Sequence, residues 1–461
     1  MSAVIRPAPN ANAPTACLLA AGEGAIAFDG DGEVSRATFA AQVRALAARL
    51  PDAGHAVNLC EDRYRFLVAF CAVALRGQVS LLPPSRTRAA IDEVRALHPH
   101  SYCIGDGDDC GCGTPLVGHD PHFVRLPAEL PLLDGPPLAI DDDAGVVAIG
   151  FTSGSTGVPA ANAKTLRGFR TSSAQNVAAL AHLCPPGQRW QVVATVPPQH
   201  MYGIELSVLL PLLADVAVHR GRPFFPEDIA RALRDTDAGA RLLVTTPVHL
   251  RTLLASGVAL PPLAGIVTAT APLPPALARE AEARFACEVR EMFGSTETCI
   301  LASRRTACEE AWTPFEGVRL QSRPDGTLVL ARQLAQPVLL ADVVEIGGDG
   351  RFVLRGRQAD LLEIAGKRAS LADLTRRLLD IPGVRDGIVF QLDGDGGGVR
   401  RIAAAYASDT LDEAAVLQAL RCSVDPVFLP RPLRRVAALP RNDTGKLPRA
   451  ALLQLVQGGS S

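Results

Sequence analysis

A loop rich in glycine and hydroxyl side chains constrains this chain more than any other stretch. The apolar run at residues 144–149 predicts a buried strand, and six consecutive Thr, Ser and Gly residues begin three positions after it. Backbone N–H groups and hydroxyls in such a loop bind polyphosphates, because glycine lets the main chain approach a ligand closely. It is not a P-loop, since no Gly-Lys-Ser/Thr follows Gly154 at the required spacing. By itself the pattern leaves phosphate binding and a plain flexible turn open. The loop residues are Thr152, Ser153, Gly154, Ser155, Thr156 and Gly157.

Length and composition predict a multidomain globular protein. A chain of 461 residues exceeds the usual size of one domain, and 48% hydrophobic with 20% charged residues is ordinary for globular proteins. The net charge of −2 offers no basic field for nucleic acid, and no run of 18 apolar residues predicts a membrane span. Residues 1–14 contain three prolines and lack the apolar core of a signal peptide. They predict a flexible tail, reduced cysteines and a cytoplasmic location.

Helices and strands are predicted to alternate along most of the chain. A helix over residues 62–76 and a strand over 79–82 are one such pair, and further strands are predicted over residues 116–117 and 265–268. This alternation predicts α/β layers with parallel strands. A further helix is predicted over residues 171–183, with Thr171, Ser172 and Ser173 as its N-terminal caps.

From residue 317 onward, short strands separated by Asp-Gly turns replace the alternation. The predicted fold class is therefore α/β, with three segments. Residues 1–14 form the tail, and residues 15–356 form a large domain of layered α/β sheets plus a barrel-like β region. Residues 357–461 form a small, mobile α+β domain.

Four further stretches carry candidate chemistry. Residues 291–298 end in Ser-Thr-Glu-Thr, so Glu297 is either a Mg²⁺ ligand beside the phosphate loop or part of an acidic first turn of a helix. Asp342 stands in an apolar strand-like run, where a ribose diol or open water satisfies its carboxylate. Basic residues, Arg357 among them, flank the predicted domain boundary. Lys446 lies on a glycine turn near the end of the chain, where a lone lysine is usually solvated.

Taken in order, these five stretches resemble those of the adenylate-forming superfamily of acyl-CoA synthetases, luciferases and peptide-synthetase adenylation domains. The resemblance runs from about residue 57 to residue 455. It implies that the Thr/Ser/Gly loop binds the β- and γ-phosphates of ATP. It also implies that Thr296 contacts the α-phosphate and that Glu297 binds Mg²⁺. Asp342 would bind the ribose, with Arg357 beside it. The catalytic Lys446 would contact both the acid carboxylate and the α-phosphate.

The same resemblance implies an acid site and a second step. The small domain would swing about the junction near Arg357 so that a thiol, from CoA or an acyl carrier protein, reaches the adenylate. His200 would gate the thiol path, or would simply pack at a strand end. The residues expected near the carboxylic acid are Tyr202, Gly203, Thr270, Ala271, Gly294 and Cys299.

The chain also departs from the family pattern. Ala160 stands where a lysine usually ends the phosphate loop, and Lys164 is the predicted substitute. Ala359 and Glu363 replace an Asp and a Lys near the hinge. These changes leave a second hypothesis open, a non-catalytic adenylate-binding sensor or scaffold.

A narrower resemblance rests on residues 58–67 and 199–205 and on the compact length. These look like the ligases of aryl-polyene and xanthomonadin-type pigment clusters. That resemblance implies secondary metabolism, with an aromatic or fatty acid loaded onto a carrier protein. The leading hypothesis is therefore an ATP- and Mg²⁺-dependent acid–thiol ligase acting on hydroxybenzoate-like or acyl substrates.

Overall fold

A computed structural model describes most of the chain as two compact units. The described residues are 16–20, 22, 24–107, 122–140, 145–152, 159–236, 239–357, 361–364, 367–392, 402–442 and 447–457. The first unit comprises Met1–Ala269, Ala276–Ala307 and Arg332–Ala335, and the second comprises Thr270–Pro275, Cys308–Ala331 and Gln336–Ser461.

The first unit contains the long α/β portion of the chain. Its strands are β1 (Ala16–Cys17), β2 (Ala25–Asp29), β3 (Gly32–Ser35), β4 (His55–Asn58), β5 (Val79–Leu82), β6 (Ser101–Gly105), β7 (Phe123–Arg125), β8 (Ala139–Ile140), β9 (Val146–Thr152), β10 (Ala160–Thr165), β11 (Trp190–Ala194), β12 (Val216–His219), β13 (Ala240–Thr245), β14 (Gly265–Thr268), β15 (Glu288–Ser295) and β16 (Cys299–Arg304). Its helices are α1 (Arg36–Ala47), α2 (Arg63–Leu75), α3 (Arg88–Leu97), α4 (Leu166–Leu180), α5 (Met201–Ile204), α6 (Leu210–Leu213), α7 (Pro226–Arg234), α8 (Pro247–Ser256) and α9 (Pro275–Phe285). A 3₁₀-helix spans Ala181–Leu183, and a π-helix spans Glu205–Leu209.

Two mainly parallel sheets organise this unit. One has the strand order β10-β9-β5-β4-β6-β7, in which only the β10–β9 pair is antiparallel. The other runs β16-β15-β14-β13-β11-β12-β2-β3 within the unit, with antiparallel pairs at its two ends. Buried apolar strands of this kind suit parallel sheets covered by helices. The predicted parallel α/β layers are therefore confirmed.

Helix α4 begins earlier than predicted. Thr165 caps it by accepting a hydrogen bond from the Gly168 N–H, so the helix starts at Leu166. Ser172 and Ser173 are consequently buried inside the helix, and their predicted capping role is wrong. Thr171 donates its hydroxyl to the Arg167 carbonyl one turn back, as a helical threonine does.

The second unit consists of short strands followed by a small α+β part. Its strands are β17 (Thr313–Pro314), β18 (Arg319–Arg323), β19 (Gly326–Leu330), β20 (Val338–Leu340), β21 (Asp342–Ile346), β22 (Phe352–Arg357), β23 (Leu361–Ile364), β24 (Lys367–Ser370), β25 (Asp386–Gln391), β26 (Ile402–Ala407) and β27 (Leu433–Val436). Its helices are α10 (Leu371–Leu379), α11 (Glu413–Arg421) and α12 (Arg449–Gln457), with a 3₁₀-helix at Pro426–Phe428.

Small sheets replace the parallel layers in this unit. Strands β18-β19-β20 form one sheet, β21-β22 and β23-β24 form two ribbons, and β25-β26-β27 form the last sheet. Leu374, Leu378, Tyr406 and Val416 belong to a hydrophobic core that joins α10, α11 and β26. The fold is thus the predicted mixed α/β arrangement, with a large sheet-rich N-terminal part and a smaller C-terminal part.

The division into compact units does not coincide with the predicted boundary. Residues 308–331 and 336–356 belong to the second unit, although the sequence placed them in the large domain. The domain limits at residue 356 and the hinge at Arg357 therefore stay predictions. Within the described residues, no helix combines the length and the hydrophobicity that a membrane crossing requires.

Candidate active site

Three of the predicted site stretches meet around Gly150 in strand β9. A Cβ placed on Gly150 would lie 2.7 Å from Cγ2 of Thr296 and 3.2 Å from Cε of Met201. Thr296 belongs to the predicted metal-binding stretch, residues 291–298, and Met201 to the predicted acid-binding stretch, residues 197–203. Strand β9 ends at Thr152, where the predicted phosphate loop begins. The first unit therefore brings together the start of the predicted phosphate loop, the predicted metal-binding stretch and the predicted acid-binding stretch.

The close approach at Gly150 makes a direct prediction. A methyl group there would displace Thr296, because 2.7 Å is shorter than any tolerated carbon–carbon contact. We expect Gly150→Ala to lower kcat/KM for pyrophosphate exchange by at least about tenfold, or about 1.4 kcal/mol. Gly348→Ala is the matched control, because a Cβ at Gly348 meets no atom within 4 Å. Equal rates for the two variants would contradict the proximity of Thr296.

Thr296 and Glu297 lie in the turn of a β-hairpin. Strands β15 and β16 pair antiparallel, with an irregularity of register between Phe293 and Gly294. The alternative that Glu297 belongs to the first turn of a helix is therefore wrong. Gly294 is required by packing, since its Cβ would lie 2.3 Å from the Cys299 carbonyl oxygen. Its predicted contact with the acid stays a prediction.

Glu297 is half-buried, and its carboxylate has no hydrogen-bond donor among the residues that the structure describes. No cluster of three or more His, Cys, Asp or Glu side chains in the described ranges could hold a metal ion. Mg²⁺ bound by protein usually takes one or two carboxylates and completes its shell with phosphate oxygens and water. A single carboxylate with unused lone pairs fits a metal that arrives with a nucleotide.

Lys164 lies in β10 and is almost fully buried. Its Nζ donates a 2.7 Å hydrogen bond to the carbonyl oxygen of Glu297. Strand β10, which follows the predicted phosphate loop in the sequence, is thereby joined to the turn that carries Thr296 and Glu297. The loop residues Ser153, Gly154, Ser155, Thr156 and Gly157 lie outside the described residues. Whether Lys164 also reaches the phosphates stays a prediction.

The acid-binding stretch begins a helix. His200 is the N-cap residue of α5, and its backbone N–H bonds to the Pro197 carbonyl. Tyr202 is buried and donates its hydroxyl to the Val267 carbonyl at 2.9 Å, so this hydroxyl is occupied inside the protein. Gly203 is required by packing, because its Cβ would lie 2.0 Å from the Pro197 oxygen. The gating role of His200 and the acid contacts of Tyr202 and Gly203 stay predictions.

Two predicted acid-site residues have an unusual backbone conformation. Among the described residues, Thr270, Ala286 and Cys299 are the non-glycine residues with positive φ, at 79°, 51° and 64°. Such conformations cost about 1–3 kcal/mol and cluster at functional sites. Thr270 and its neighbour Ala271 are half-buried. Burial raises the pKa of the Cys299 thiol to about 12, so this thiol stays protonated and neutral and is not a nucleophile.

The sequence prediction missed a buried acid, Glu205. It accepts hydrogen bonds from the Ile300 N–H at 2.9 Å, from Asn176 Nδ2 at 3.3 Å and from the Ser172 hydroxyl. Burial raises the pKa of the Glu205 carboxyl to about 7, against the opposing effect of these donors and of Lys164. Glu205 begins the π-helix between α5 and α6, and π-helical turns are frequent at functional sites. A charged residue inside the apolar run at residues 201–213 was the available signal.

Arg63 is a second buried residue that the prediction missed. It is fully buried in α2 and donates to the carbonyl oxygens of Ala194 and Val196 at 2.8 Å each, and to the hydroxyl of Ser207. Val196 directly precedes the acid-binding stretch. The arginine thus connects α2 to the end of β11 and to the π-helix.

The second unit holds the remaining predicted nucleotide contacts. Asp342 and Arg357 are direct register partners in the β21–β22 ribbon, so the backbone places them side by side as predicted. Gly356 has φ of 112°, a conformation that favours glycine. The side chain of Arg357 and the whole of Lys446 lie outside the described residues. Their contacts, and the ribose contact of Asp342, stay predictions.

The chain is similar in sequence to known proteins. Residues 19–324 match the model of the AMP-binding enzyme family. A probable 2-succinylbenzoate–CoA ligase of Mycobacterium tuberculosis is 28% identical over 373 residues, covering 74% of this chain and 93% of the relative. A 4-coumarate–CoA ligase of Rhodobacter capsulatus is 30% identical over 297 residues, covering 64% of this chain and 73% of the relative.

Among solved structures, o-succinylbenzoate coenzyme A synthetase from Bacillus subtilis, in complex with ATP and magnesium ion, has a similar fold. Its TM-score is 0.76 at 15% sequence identity, covering 94% of this chain and 96% of that chain. The chain therefore belongs to the AMP-binding enzyme family and is an ATP-dependent, AMP-forming ligase.

Proposed function

We propose that this ligase activates a carboxylic acid with ATP and Mg²⁺ and transfers the acyl group to a phosphopantetheine thiol. The observation that carries the proposal is the convergence at Gly150, where the entrance of the phosphate loop meets Thr296 and Met201. Phosphates, metal ligand and acid must be adjacent for a carboxylate to attack a phosphorus atom.

The proposed reaction has two steps. A carboxylate oxygen attacks the α-phosphorus of ATP, the bond to the β-phosphate oxygen breaks, and pyrophosphate leaves an acyl-adenylate. A thiol then attacks the acyl carbon and loses its proton, and AMP departs as the thioester forms. The first step concentrates negative charge on the α-phosphate oxygens, where a lysine amino group lowers the barrier. Lys446 is our candidate for that group.

Glu297 is our candidate ligand for Mg²⁺, with Thr296 beside it on the α-phosphate. When bound, the metal would neutralise charge on the phosphate oxygens. The chain's own contribution is a half-buried carboxylate without a donor among the described residues, held at the turn of the β15–β16 hairpin. Support comes also from the Bacillus subtilis structure, which is a complex with ATP and magnesium ion.

The acid is proposed to be an aromatic or acyl monocarboxylate. We propose that the acid lies against Met201, the ring of Tyr202 and the neutral thiol of Cys299, which are all buried in the first unit. Lys164 donates to the main-chain oxygen of Glu297. The relatives carry the names of 2-succinylbenzoate and 4-coumarate ligases. An apolar lining favours a coumarate-like acid over one with a second carboxylate.

The acceptor is proposed to be CoA, because the relatives named above are CoA ligases. A carrier protein presents the same phosphopantetheine thiol and is the second arm of the test. The resemblance to pigment-cluster ligases, and with it a place in secondary metabolism, stays a proposal that the carrier-protein arm addresses.

The test is ATP–pyrophosphate exchange with hydroxybenzoates, cinnamates, fatty acids and 2-succinylbenzoate, followed by mass spectrometry of thioesters with CoA and with holo carrier protein. We expect exchange with at least one monocarboxylate, and its loss in Lys446→Ala. A folded protein that exchanges with none of the acids would contradict the proposal. Tight binding of an acyl-AMP without turnover would favour the sensor or scaffold.

A further inference from the structure

The turn that carries Thr296 and Glu297 is held by two buried side chains from elsewhere in the first unit. Lys164 bonds the carbonyl oxygen of Glu297 at 2.7 Å, and Glu205 bonds the N–H of Ile300 at 2.9 Å. Lys164 is 6% exposed and Glu205 is 1% exposed. Both bonds go to main-chain atoms. They therefore restrain the path of the turn itself, whichever way its side chains point.

Backbone strain lies between these two points of attachment. Cys299 has φ of 64°, in the left-handed region that side chains with a Cβ rarely adopt. Such a residue keeps that conformation only where its surroundings over-determine it. Its thiol also contacts the sulfur of Met201 at 3.9 Å. The turn is therefore shaped by its attachments and not by the local preference of the hairpin.

Position 164 holds a lysine in a chain whose basic residues are nearly all arginine. Of the 46 lysine and arginine residues in the chain, only Lys164, Lys367 and Lys446 are lysine. A guanidinium is a rigid fork of five donors, whereas the lysine amino group is a compact donor on a flexible stem. A single, partly buried carbonyl oxygen suits the compact donor.

The burial of Lys164 and Glu205 also costs free energy of folding. Burying an amino group and a carboxyl group costs free energy even when both are hydrogen-bonded, and apolar side chains would fill the same space at lower cost. The ends of the hairpin are already joined by strand pairing between β15 and β16. What Lys164 and Glu205 add is a fixed position for the residues between those strands.

We propose that Lys164 and Glu205 are positioning residues for the magnesium nucleotide, which hold the turn so that Thr296 and Glu297 are preorganised to bind it. The inference rests on the roles proposed above for those two residues. It gives Lys164 a task other than the direct phosphate contact that the sequence predicted. Preorganisation strengthens binding because the ligating groups lose less freedom when the metal arrives.

Lys164→Met tests the inference, because methionine fills the buried space without a donor. The measurement is calorimetric binding of α,β-methylene-ATP, which cannot transfer its adenylyl group, once with Mg²⁺ and once with EDTA. We expect the affinity gained from Mg²⁺ to fall by at least about tenfold, and the metal-free affinity, to which Thr296 contributes, to fall by a smaller factor. A fall in the metal-free affinity with an unchanged gain from Mg²⁺ would instead make Lys164 a phosphate ligand and overturn the inference.

Glu205 supplies a conservative pair of variants. In Glu205→Gln the amide oxygen can still accept from Ile300, and the amide N–H can donate to Asn176 Oδ1, which is buried without a partner among the described residues. We expect Glu205→Gln to keep the Mg²⁺-dependent gain within about threefold, and Glu205→Leu to lose it by at least about tenfold. Equal gains in both variants would overturn the role of Glu205.

Arg36→Met is the matched control. Arg36 is a buried cation that donates to the carbonyl oxygens of Ala20 and Ala214, away from the hairpin. We expect it to lower the thermal midpoint and leave the gain from Mg²⁺ unchanged. A reduced gain in Arg36→Met would show that loss of stability alone explains the effect. A wild-type protein that binds no nucleotide would overturn the proposed function as well, whereas binding with unaltered Mg²⁺ dependence in the variants would overturn this inference alone.

Discussion

Replacing Glu297 by glutamine is expected to lower kcat/KM for pyrophosphate exchange by at least about a hundredfold, or about 2.7 kcal/mol. Glutamine keeps the size of the side chain and removes the negative charge that a Mg²⁺ ion requires. Because its carboxylate receives no hydrogen bond from the described residues, stability should change by less than about 0.5 kcal/mol. The loss of activity would then belong to the site and not to the fold.

The dependence of the exchange rate on Mg²⁺ concentration distinguishes a metal ligand at Glu297 from a residue that affects the rate in another way. Rates of Glu297→Gln measured over a range of Mg²⁺ concentrations should reach half-maximum at a higher concentration than those of the wild type. Glu280→Gln is the control, since Glu280 is an exposed acid in helix α9 of the same unit. If both variants exchange pyrophosphate at the wild-type rate and Mg²⁺ midpoint, Glu297 is not the metal ligand.

Parts of the fold could be read from the sequence because their residues are buried on both faces. Strands β5 and β14 have the predicted bounds, Val79–Leu82 and Gly265–Thr268. Each is a short, mostly apolar segment inside a parallel sheet. The predicted strand at residues 116–117 lies outside the described residues. The hairpin around Glu297 was not predicted, because Ser-Thr-Glu is equally typical of a helix start.

The candidate site could be predicted only where its residues act through local motifs. The sequence alone shows the order in which the local motifs follow one another, namely the phosphate loop, Glu297, Asp342 and Lys446. The attachment of Glu205 to Ile300 spans 95 positions, so no local pattern contains it. The π-helix that begins at Glu205 is equally hidden, because its sequence has the periodicity of an ordinary apolar helix. Ser172 fits the sequence pattern of a cap, whereas its hydroxyl donates to Glu205 in another element.

Arg63→Ala is expected to destabilise the first unit by about 3–5 kcal/mol. The substitution removes the donors to Ala194, Val196 and Ser207 and leaves a cavity in a site with no exposure to solvent. Removing a buried charge regains some solvation free energy, which opposes the loss. The loss should prevail, because two carbonyl oxygens are left without this donor and the space of one of the largest fully buried side chains among the described residues is emptied.

Arg63→Met separates the two contributions, because it removes the charge and keeps most of the volume. We expect it to cost about 2 kcal/mol, less than the alanine variant. Urea unfolding is followed in a Trp312→Phe background, where Trp190, one of two tryptophans and buried in β11, reports on the first unit. Exposed Arg49→Ala should change the free energy of unfolding by less than about 0.5 kcal/mol. If Arg63→Ala unfolds at the same urea concentration as Arg49→Ala, the bonds to Ala194 and Val196 contribute nothing to the stability of the strand end that leads into the acid-binding stretch.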